Sequence, residues 1–303
     1  MLNEILKVLP EKLAYQVNNI GTTDYITEIR LRVGRRTVVL TANIEIFLEY
    51  IIELKDLLEI LVKVSRNSIY AIQNDINNGF VVINGGHRIG ICGEVILQDE
   101  KVKNIKNINS MNIRVARQLI GCADILVNNI INEGKVLNTL IVSPPGCGKT
   151  TMLRDTIRQI SSGVKRLEFD GMNIGLVDER GELACVNNGR INLDVGVRTD
   201  VISNCPKYIG MEMLVRSMGI NVIATDEIGS KNDLEAIKYA SLSGVGLIFT
   251  MHGRNLEDVI KKDGIKELFS EGLFDVVVIL SNKNGPGTIE KIHRITNKCL
   301  EAV

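Results

Sequence analysis

The sequence is short of residues on which several classes of protein depend. It contains no tryptophan, aromatic residues make up 4% of it, and Lys+Arg and Asp+Glu both number 36, so the formal net charge is zero. Proteins that hold single-stranded nucleic acid combine a basic groove with aromatic side chains on which the bases stack. The composition therefore gives no support to a nucleic-acid-binding role.

Cysteine pairs and long apolar runs are also missing. The six cysteines form no C-x-x-C pair and no metal-ligand cluster with the three histidines, which is typical of a protein in a reducing cytoplasm. No apolar run reaches the roughly 18 residues that span a bilayer, and the opening MLNEILKVLPEKL predicts an amphipathic helix rather than a signal peptide. We therefore expect a cytoplasmic protein with no membrane span of its own, which reaches a membrane through a partner.

The first part of the chain mixes short strands with helices. Strand-like runs (YITEIRLRV, TVVL and FVVINGGHRIGICGEVIL) are separated by glycine turns, as in an antiparallel sheet. Apolar spacing predicts helices over residues 54–64, 68–77 and 121–133. With 303 residues, 45% of them hydrophobic, the chain can bury more than one core. We predict an N-terminal α+β domain over residues 1–134.

The second part has a different pattern. The apolar strands TLIVS, NIGLVD, NVIATD, GLIFTM and DVVVIL alternate with helical segments. This alternation is typical of a parallel sheet that helices cover on both faces. The break at Asn132–Lys135 precedes the first of these strands, so we predict an α/β domain over residues 135–303.

The stretch SPPGCGKTT, between the first of these strands and a helix, predicts a phosphate-binding loop. Gly148, Lys149 and Thr150 fit the end of the pattern G-x-x-x-x-G-K-[ST], while Ser143 stands at its first glycine. In this motif backbone N–H groups surround phosphate oxygens, the lysine reaches the β- and γ-phosphates, and the hydroxyl binds Mg²⁺. The residues predicted to bind the nucleotide are Pro145, Gly146, Cys147, Gly148, Lys149, Thr150 and Thr151.

Two strands that end in acids supply groups for hydrolysis. The strand NVIATDE ends in Asp226, predicted to bind Mg²⁺ together with Thr150, and in Glu227, predicted to activate the attacking water. The strand IGLVDERGEL brings Glu179 and Glu182 as further candidates for the catalytic base. The spacing does not decide between the three glutamates.

A histidine and a glycine refine this prediction. His252 ends the strand GLIFTMHG, and ligands of parallel α/β sheets bind at the carboxyl ends of strands, so we predict a phosphate-sensing or coupling role for it. The run NKNG at 282–285 begins like the guanine-reading N-K-x-D of GTPases. Because Gly285 replaces the carboxylate that would pair with guanine, ATP is the favoured nucleotide.

The order of these motifs resembles that of the secretion ATPases of type II, type IV and pilus systems. VDERGEL resembles their acidic box, TDEIGS their Walker B strand, and GVGLIFTMHG their histidine box. The chain departs from that pattern at Asp226, where many members carry glycine, and at Ser143. The ordered set EIRLRVGRR, GGHRIGICGE, SPPGCGKTT, VDERGE, VRTDV and DEIG resembles a narrower family across nearly the whole chain, the stage III AA sporulation proteins of endospore-forming bacteria.

The resemblance implies an architecture and a task. The architecture is a RecA-like P-loop NTPase domain preceded by a smaller α+β domain. The task is ATP hydrolysis that powers a channel between mother cell and forespore. The implied protein is a hexamer in the mother-cell cytoplasm, peripheral at the membrane, with integral membrane proteins of the sporulation complex as its partners.

Hexamers of this kind place an arginine of one subunit against the γ-phosphate bound by its neighbour, where it stabilises charge on the transferring group. The first choices for that role are Arg32 and Arg114. A solvated sheet face would explain alternating arginines equally well. The other candidates are Arg30, Arg88, Arg117, Arg180, Arg198 and Arg216.

Two alternatives to a secretion motor stay open. A RecA-like nucleic-acid motor would show hydrolysis that single-stranded DNA stimulates, with a steep salt dependence. A nucleotide-gated scaffold would bind ATP tightly without turnover. The neutral composition counts against the first alternative, and the two acidic strands count against the second.

Overall fold

The computed structural model describes residues 2–21, 26–41, 44–65, 72–116, 118–187 and 189–295. The chain divides into two compact units. The first unit is Met1–Arg117 with the short segment Asn187–Asn192, and the second unit is Gln118–Val186 with Leu193–Val303. None of the helices in the described ranges combines the length and the apolarity needed to cross a membrane.

The first unit is built around a six-stranded sheet with the strand order β3-β2-β1-β6-β5-β4. All neighbouring strands in it run antiparallel. The elements of this unit are α1 (Leu2–Val8), α2 (Glu11–Asn18), β1 (Ile26–Arg32), β2 (Arg36–Thr41), β3 (Glu45–Ile51), α3 (Leu54–Val64), α4 (Gln73–Asn77), β4 (Phe80–Val82), β5 (Arg88–Gln98) and β6 (Lys101–Arg114).

The helices of the first unit follow local rules, with one correction. Helix α3 has the predicted bounds, and a capping box between Glu53 and Asp56 closes its N-terminus. The predicted N-terminal helix is two helices, because Pro10 has no N–H to donate and disfavours helical backbone in the residue before it. Of the helix predicted over 68–77, residues 68–71 lie outside the described part, and α4 occupies the end.

The second unit contains a seven-stranded sheet with the order β11-β10-β12-β13-β9-β14-β15. All neighbouring pairs are parallel except β14 and β15. The elements of this unit are α5 (Asp124–Ile130), β7 (Ile131–Asn132), β8 (Lys135–Val136), β9 (Thr139–Ser143), α6 (Lys149–Ser162), β10 (Ile174–Asp178), β11 (Thr199–Ser203), α7 (Lys207–Ser217), β12 (Val222–Thr225), α8 (Lys231–Leu242), β13 (Gly246–His252), α9 (Leu256–Ile260), α10 (Ile265–Ser270), β14 (Val276–Ser281) and β15 (Thr288–Arg294).

The five predicted apolar strands are the inner strands of this sheet, and the two edge strands were not predicted. Strands β11 and β15 contain no fully buried residue, so they lack the apolar run that marked the others. Residue 134, the predicted domain boundary, lies between β7 and β8 within the second unit. Helix α5 precedes it and packs Leu126, Val127 and Ile130 into the core of the second unit.

Both faces of the parallel sheet are buried. Along β9, Leu140 and Val142 enter one apolar cluster while Ile141 enters the other, which follows the two-residue period of a strand. Each such side chain contributes about 1.5–3 kcal/mol of stability through burial. The carboxyl ends of β9, β10, β12 and β13 are therefore held by a rigid core.

Candidate active site

The predicted nucleotide-binding residues and acidic residues of the second unit meet at the carboxyl ends of its parallel strands. Strands β10, β12, β13 and β9 are consecutive parallel neighbours. Their carboxyl ends therefore lie side by side, which is where ligands bind in open α/β sheets. The sequence separates these strands by as much as a hundred residues, and the sheet brings their ends together.

The phosphate loop runs from Pro144 to Gly148, between β9 and α6. Gly146 and Gly148 have φ of 74° and 80°, in the left-handed region that favours glycine. A Cβ on Gly148 would also lie 2.9 Å from the backbone nitrogen of Gly287. Ser143 is the last residue of β9 and is not left-handed, so its departure from the glycine pattern carries no backbone cost.

Lys149 folds back onto the loop that precedes it. Its Nζ donates to the backbone oxygen of Ser143 at 3.0 Å, to the Ser143 hydroxyl at 3.2 Å and to the backbone oxygen of Pro144 at 3.1 Å. Burial lowers the pKa of Lys149, although Glu227 opposes this effect. The ammonium group is thus held at the loop by neutral acceptors that phosphate oxygens can replace.

His252 links the phosphate loop to the acidic strand β12. Its Nδ1 lies 3.0 Å from Nζ of Lys149, and its Nε2 lies 2.8 Å from Oε1 of Glu227. Because a lysine ammonium can only donate, Nδ1 accepts that hydrogen bond and Nε2 donates to the carboxylate. The histidine therefore bridges the side chains of the lysine and the glutamate.

The backbone of Glu227 is strained. Its φ of 49° places a non-glycine residue in the left-handed region, which costs on the order of 1 kcal/mol and is most common at functional sites. Thr250 on the neighbouring strand holds this conformation, since its hydroxyl accepts the Glu227 N–H at 2.9 Å and its backbone oxygen accepts the Ile228 N–H at 3.0 Å.

The Glu227 carboxylate has two partners. Besides His252, it accepts a hydrogen bond from Nη1 of Arg180 at 2.7 Å. Burial raises the pKa of Glu227, but Arg180, His252 and Lys149 together outweigh burial, so the pKa lies below its ordinary value. The carboxylate is ionised at neutral pH and can accept a proton or orient a water molecule.

Asp226, one residue earlier, is buried with no side-chain hydrogen bond among the described residues. Burial raises its pKa to about 6, and the nearby carboxylates of Asp178, Glu227 and Glu182 add to the effect. No group of three or more potential metal-ligating side chains occurs in the described ranges. The Asp226 carboxylate is thus nearly buried and has no cationic partner in direct contact among the described residues.

Asp178 ends the adjacent strand β10 and has the opposite environment. Its two carboxylate oxygens accept the backbone N–H groups of Glu182, Leu183, Ala184 and Cys185, at 2.9, 3.1, 2.8 and 3.3 Å. Four hydrogen bonds to backbone donors fix the loop that follows β10. Asp178 therefore organises the backbone and has no free oxygen to offer a ligand.

The other two predicted glutamates differ in whether the carboxylate forms an ion pair. Glu179 forms an ion pair with Lys207 on α7, with 2.5 Å between Oε2 and Nζ. Glu182 is exposed, and its carboxylate adds to the raised pKa of Asp226. Of the three glutamates, Glu227 alone contacts the residue that touches Lys149.

The arginines predicted in the first half belong to the first unit. Glu28, Arg30 and Arg32 alternate along β1, where Glu28 pairs with Arg114 and Arg30 pairs with Asn112, so these side chains share one sheet face. Glu28 lies 2.8 Å from Arg30 and 3.3 Å from Arg114. On the same face lies Arg88, paired with Arg114 and stacked 3.5 Å above the ring of Phe80, whereas Arg117 lies outside the described residues.

The arginines of the second unit fall into two groups. Arg180 belongs to the candidate active site through its bond to Glu227. Arg198 donates to the backbone oxygen of Ser161 at 2.8 Å, and Arg216 lies over the ring of Tyr239 and beside Glu212. Arg198 and Arg216 therefore make structural contacts away from the carboxyl ends of the strands.

Two contacts of the site have no local signal in the sequence. Lys262, ten residues past the end of β13, donates from Nζ to the backbone oxygen of His252. Gly287, in the turn after β14, donates its N–H to the backbone oxygen of Cys147 at 3.0 Å. Only the folded sheet places these residues beside the phosphate loop, so no motif spacing could have indicated them.

Comparison with protein families identifies the chain's relatives. The model of the family "Sporulation stage III, protein AA" matches residues 2–299. The chain belongs to this family. Stage III sporulation protein AA of Bacillus subtilis is 37% identical over 294 residues, which cover 96% of this chain and 95% of that protein. The resemblance inferred from the ordered motifs is confirmed.

Solved structures share the fold at low sequence identity. The ATPase DotB of Legionella pneumophila matches with a TM-score of 0.61 and 10% identity, over 97% of this chain and 83% of that one. The pilus retraction motor PilT with bound ADP matches with a TM-score of 0.58 and 14% identity, over 88% and 76%. The predicted fold class, an α/β domain of the RecA-like P-loop NTPase fold after a smaller α+β domain, is confirmed.

Proposed function

We propose that this chain is a Mg²⁺-dependent ATPase that drives a sporulation channel complex between mother cell and forespore. The observation that carries the proposal is the chain of contacts from Lys149 through His252 to Glu227. It joins the group that would meet the γ-phosphate to the group that would activate water. A loop that only bound phosphate would not need contacts that join its lysine to a glutamate able to activate water.

The nucleotide would bind at the start of α6. The N–H groups of Gly146, Cys147 and Gly148 would surround the β-phosphate, with the positive end of the helix dipole behind them, and the first turn of α6 would place Thr151 at the α-phosphate side. Lys149 would exchange its backbone acceptors for phosphate oxygens. Pro145 limits the conformations of the loop and so reduces the entropy lost on binding.

The residues present fit a magnesium ion. Mg²⁺ binds one or two protein oxygens and takes its other ligands from phosphates and water. The Thr150 hydroxyl on the first turn of α6 and the unpaired Asp226 carboxylate would hold it. When bound, the ion neutralises charge on the phosphate oxygens.

Glu227 is the glutamate best placed to be the base. Its pKa is lowered and it contacts His252, whereas Glu179 is paired with Lys207 and Glu182 is exposed. The carboxylate would orient a water molecule for in-line attack and accept its proton. Its contacts with Arg180 and His252 would have to open toward that water, so the structure corresponds to a resting arrangement.

His252 would report the state of the nucleotide. When Lys149 moves to the phosphates, the acceptor Nδ1 of His252 loses its donor, and the hydrogen bond from Nε2 to Glu227 is free to change. This would couple occupancy of the loop to the position of the base. Such coupling is what a motor requires, because hydrolysis must depend on where the nucleotide is bound.

The assembly and the partners extend the proposal. DotB is named as an ATPase and PilT as a pilus retraction motor. The resemblance to the secretion ATPases implies that the present chain would form a hexamer in the mother-cell cytoplasm. It would act at the membrane through integral membrane proteins of the sporulation complex. Arg32 or Arg114 on the exposed sheet face of the first unit would reach the γ-phosphate of a neighbouring subunit.

The test is steady-state ATP hydrolysis as a function of protein concentration, with mass measured by light scattering on the same samples. We expect turnover that requires Mg²⁺, rises with assembly, and falls about 10²–10³-fold in Lys149→Ala and Glu227→Gln. The matched controls are Lys165→Ala and Glu235→Gln, which change exposed residues of the second unit that make no ion pair with any residue the structure describes.

Three results would count against the proposal in different ways. Tight binding of ATP with no turnover at any concentration would support a scaffold. Constant turnover per chain in a monomer would rule out a catalytic role for an arginine from a neighbouring subunit. Turnover stimulated by single-stranded DNA, with a steep salt dependence, would favour a nucleic-acid motor.

A further inference from the structure

The nucleotide site proposed above includes residues for the phosphate groups, but none for the adenine base of the nucleotide. We propose that the turn Asn282–Gly287 after β14 forms the base side of the nucleotide site, and that the side-chain amides of Asn282 and Asn284 bind adenine. This inference rests on the proposed binding of ATP and adds the part of the site that selects the nucleotide.

The turn is packed directly against the phosphate loop. The Gly287 N–H donates to the backbone oxygen of Cys147 at 3.0 Å. A Cβ added to Gly148 would meet the nitrogen of Gly287 at 2.9 Å and the carbonyl carbon of Pro286 at 3.3 Å. The backbones of the two loops are therefore in direct contact. Any nucleotide seated on the phosphate loop would lie beside this turn.

The strand order assigns the two flanks of the phosphate loop to different ends of the nucleotide. Strand β9 lies between β13 and β14. The β13 flank holds His252 in contact with Lys149, and Glu227 beyond it, so this flank receives the γ-phosphate. A nucleoside triphosphate is an elongated molecule with its base at the opposite end. The adenine base therefore extends toward the β14 side of the phosphate loop, where the turn lies.

The backbone of the turn is ordered by its own hydrogen bonds. The Gly285 N–H donates to the backbone oxygen of Asn282 at 3.3 Å, and the hydroxyl of Thr288 donates to the backbone oxygen of Gly285 at 2.7 Å. The Thr288 hydroxyl also accepts the Asn284 N–H at 3.3 Å. The turn is thus held in shape before any ligand arrives.

The side chains of the turn, in contrast, are unused. Asn282, Lys283 and Asn284 are exposed, and none of their side chains makes a hydrogen bond or ion pair with the described part of the chain. Two amides on a fixed backbone, at the flank that the base must occupy, have the placement of a recognition element.

The chemistry of an amide matches adenine better than guanine. An asparagine side chain offers one acceptor and one donor group, which fit the N6 amino group and N7 of adenine as a bidentate pair. Guanine presents two acceptors, O6 and N7, at the corresponding edge. Its remaining edge calls for a carboxylate, and the turn has Gly285 in that place. The turn should therefore favour ADP and ATP over GDP and GTP.

The experiment compares ligands that contain a base with one that does not. Isothermal titration with ADP, GDP and inorganic pyrophosphate, all with Mg²⁺, would be run on the full chain and on the double variant Asn282→Ala/Asn284→Ala. We expect the double variant to lose about tenfold in ADP affinity, to bind ADP and GDP alike, and to keep its affinity for pyrophosphate. Tenfold corresponds to about 1.4 kcal/mol.

Lys283→Ala is the matched control, because it changes an exposed side chain between the two asparagines. We expect its ADP affinity to stay within about twofold of the wild type, in line with the small effect of one exposed charge. A fall in ADP affinity for Lys283→Ala and not for the double variant would overturn the role of the amides.

Other outcomes separate this inference from the proposed function. Equal losses for ADP and pyrophosphate in the double variant would mean that the turn acts on the shape of the phosphate loop and does not contact the base, which overturns the inference alone. An unchanged double variant would also overturn the inference alone. A wild-type chain that binds none of the three ligands would overturn the proposed function together with the inference.

Discussion

Asp178 and Asp226 end adjacent parallel strands of the same sheet, and both are almost fully buried. Asp178 accepts four backbone N–H groups, whereas Asp226 has no side-chain hydrogen bond in the described part of the chain. A buried carboxylate with partners stabilises its surroundings, and one without partners costs stability. The same residue type in the same kind of position thus serves the fold in one strand and is available for chemistry in the next.

The largest effect expected from this comparison is on activity. Asp226→Asn should lower kcat for ATP about 10²–10³-fold, because it removes the charge of the proposed magnesium ligand. Without nucleotide, the free energy of unfolding should rise by about 1–3 kcal/mol at neutral pH, because a buried unpaired charge disappears. Steady-state turnover and urea unfolding measure the two quantities.

The control for that prediction is Asp263→Asn, which changes an exposed carboxylate between α9 and α10 and should alter neither quantity. If Asp226→Asn unfolds more easily than the wild type, then Asp226 supports the fold, and the contrast with Asp178 disappears.

Asp178→Asn should have its main effect on stability. One carboxylate oxygen becomes an NH₂ group that faces backbone donors, so at least two of the four N–H groups lose their acceptor. We expect the free energy of unfolding to fall by about 3 kcal/mol. A variant with wild-type stability and no ATP turnover would place Asp178 in the catalytic machinery and contradict the comparison.

A third buried aspartate extends the contrast to pH. Burial alone would raise the pKa of Asp155, but hydrogen bonds from the Ala123 N–H, Arg158 and Gln159 lower it below the ordinary 3.8. The folded state therefore gains stability from this carboxylate above pH 3.8 and loses it as the pH falls through the lower pKa of the folded state.

Asp155→Asn tests that sign. We expect it to cost about 2 kcal/mol at pH 7, through loss of charge-assisted hydrogen bonds. The difference from the wild type should shrink as the pH is lowered below 3.8, which urea unfolding at a series of pH values would show. A difference that grows toward low pH would reverse the assignment.

The smallest effect concerns Arg180, which forms an ion pair with Glu227, the residue after Asp226. Arg180 has 58% of its side chain exposed, so Arg180→Ala should change the free energy of unfolding by less than about 0.5 kcal/mol. Because Arg180 holds Glu227, we expect a change in kcat of up to about tenfold with little change in KM. A change confined to KM would indicate that Arg180 contacts the nucleotide.

The inner strands and the glycine-rich loop after β9 could be predicted because their signals are local. The centre of a strand such as β9 is an unbroken apolar run, and Gly146 and Gly148 have the left-handed backbone that favours glycine. The positions of Lys149 and the two acidic strand ends at one site followed from the parallel sheet.

What could not be predicted depends on contacts between distant segments. Asp178 and Asp226 follow equally apolar strands, and only the fold shows which of them the backbone N–H groups surround. The edge strands β11 and β15 bury too little to show an apolar run. The sequence shows only that the run NKNG at 282–285 departs from a guanine-binding motif, because nothing local places the following Gly287 against Cys147.

The left-handed backbone of Glu227 has a consequence for attempts to engineer this protein. A search for stabilising substitutions would favour glycine or asparagine at that position, since either would relieve the strain. The chain keeps a charged, strained residue there and accepts the lower stability, which is the trade-off between stability and activity that marks working sites. Thermostabilising variants are therefore best sought at positions other than Glu227.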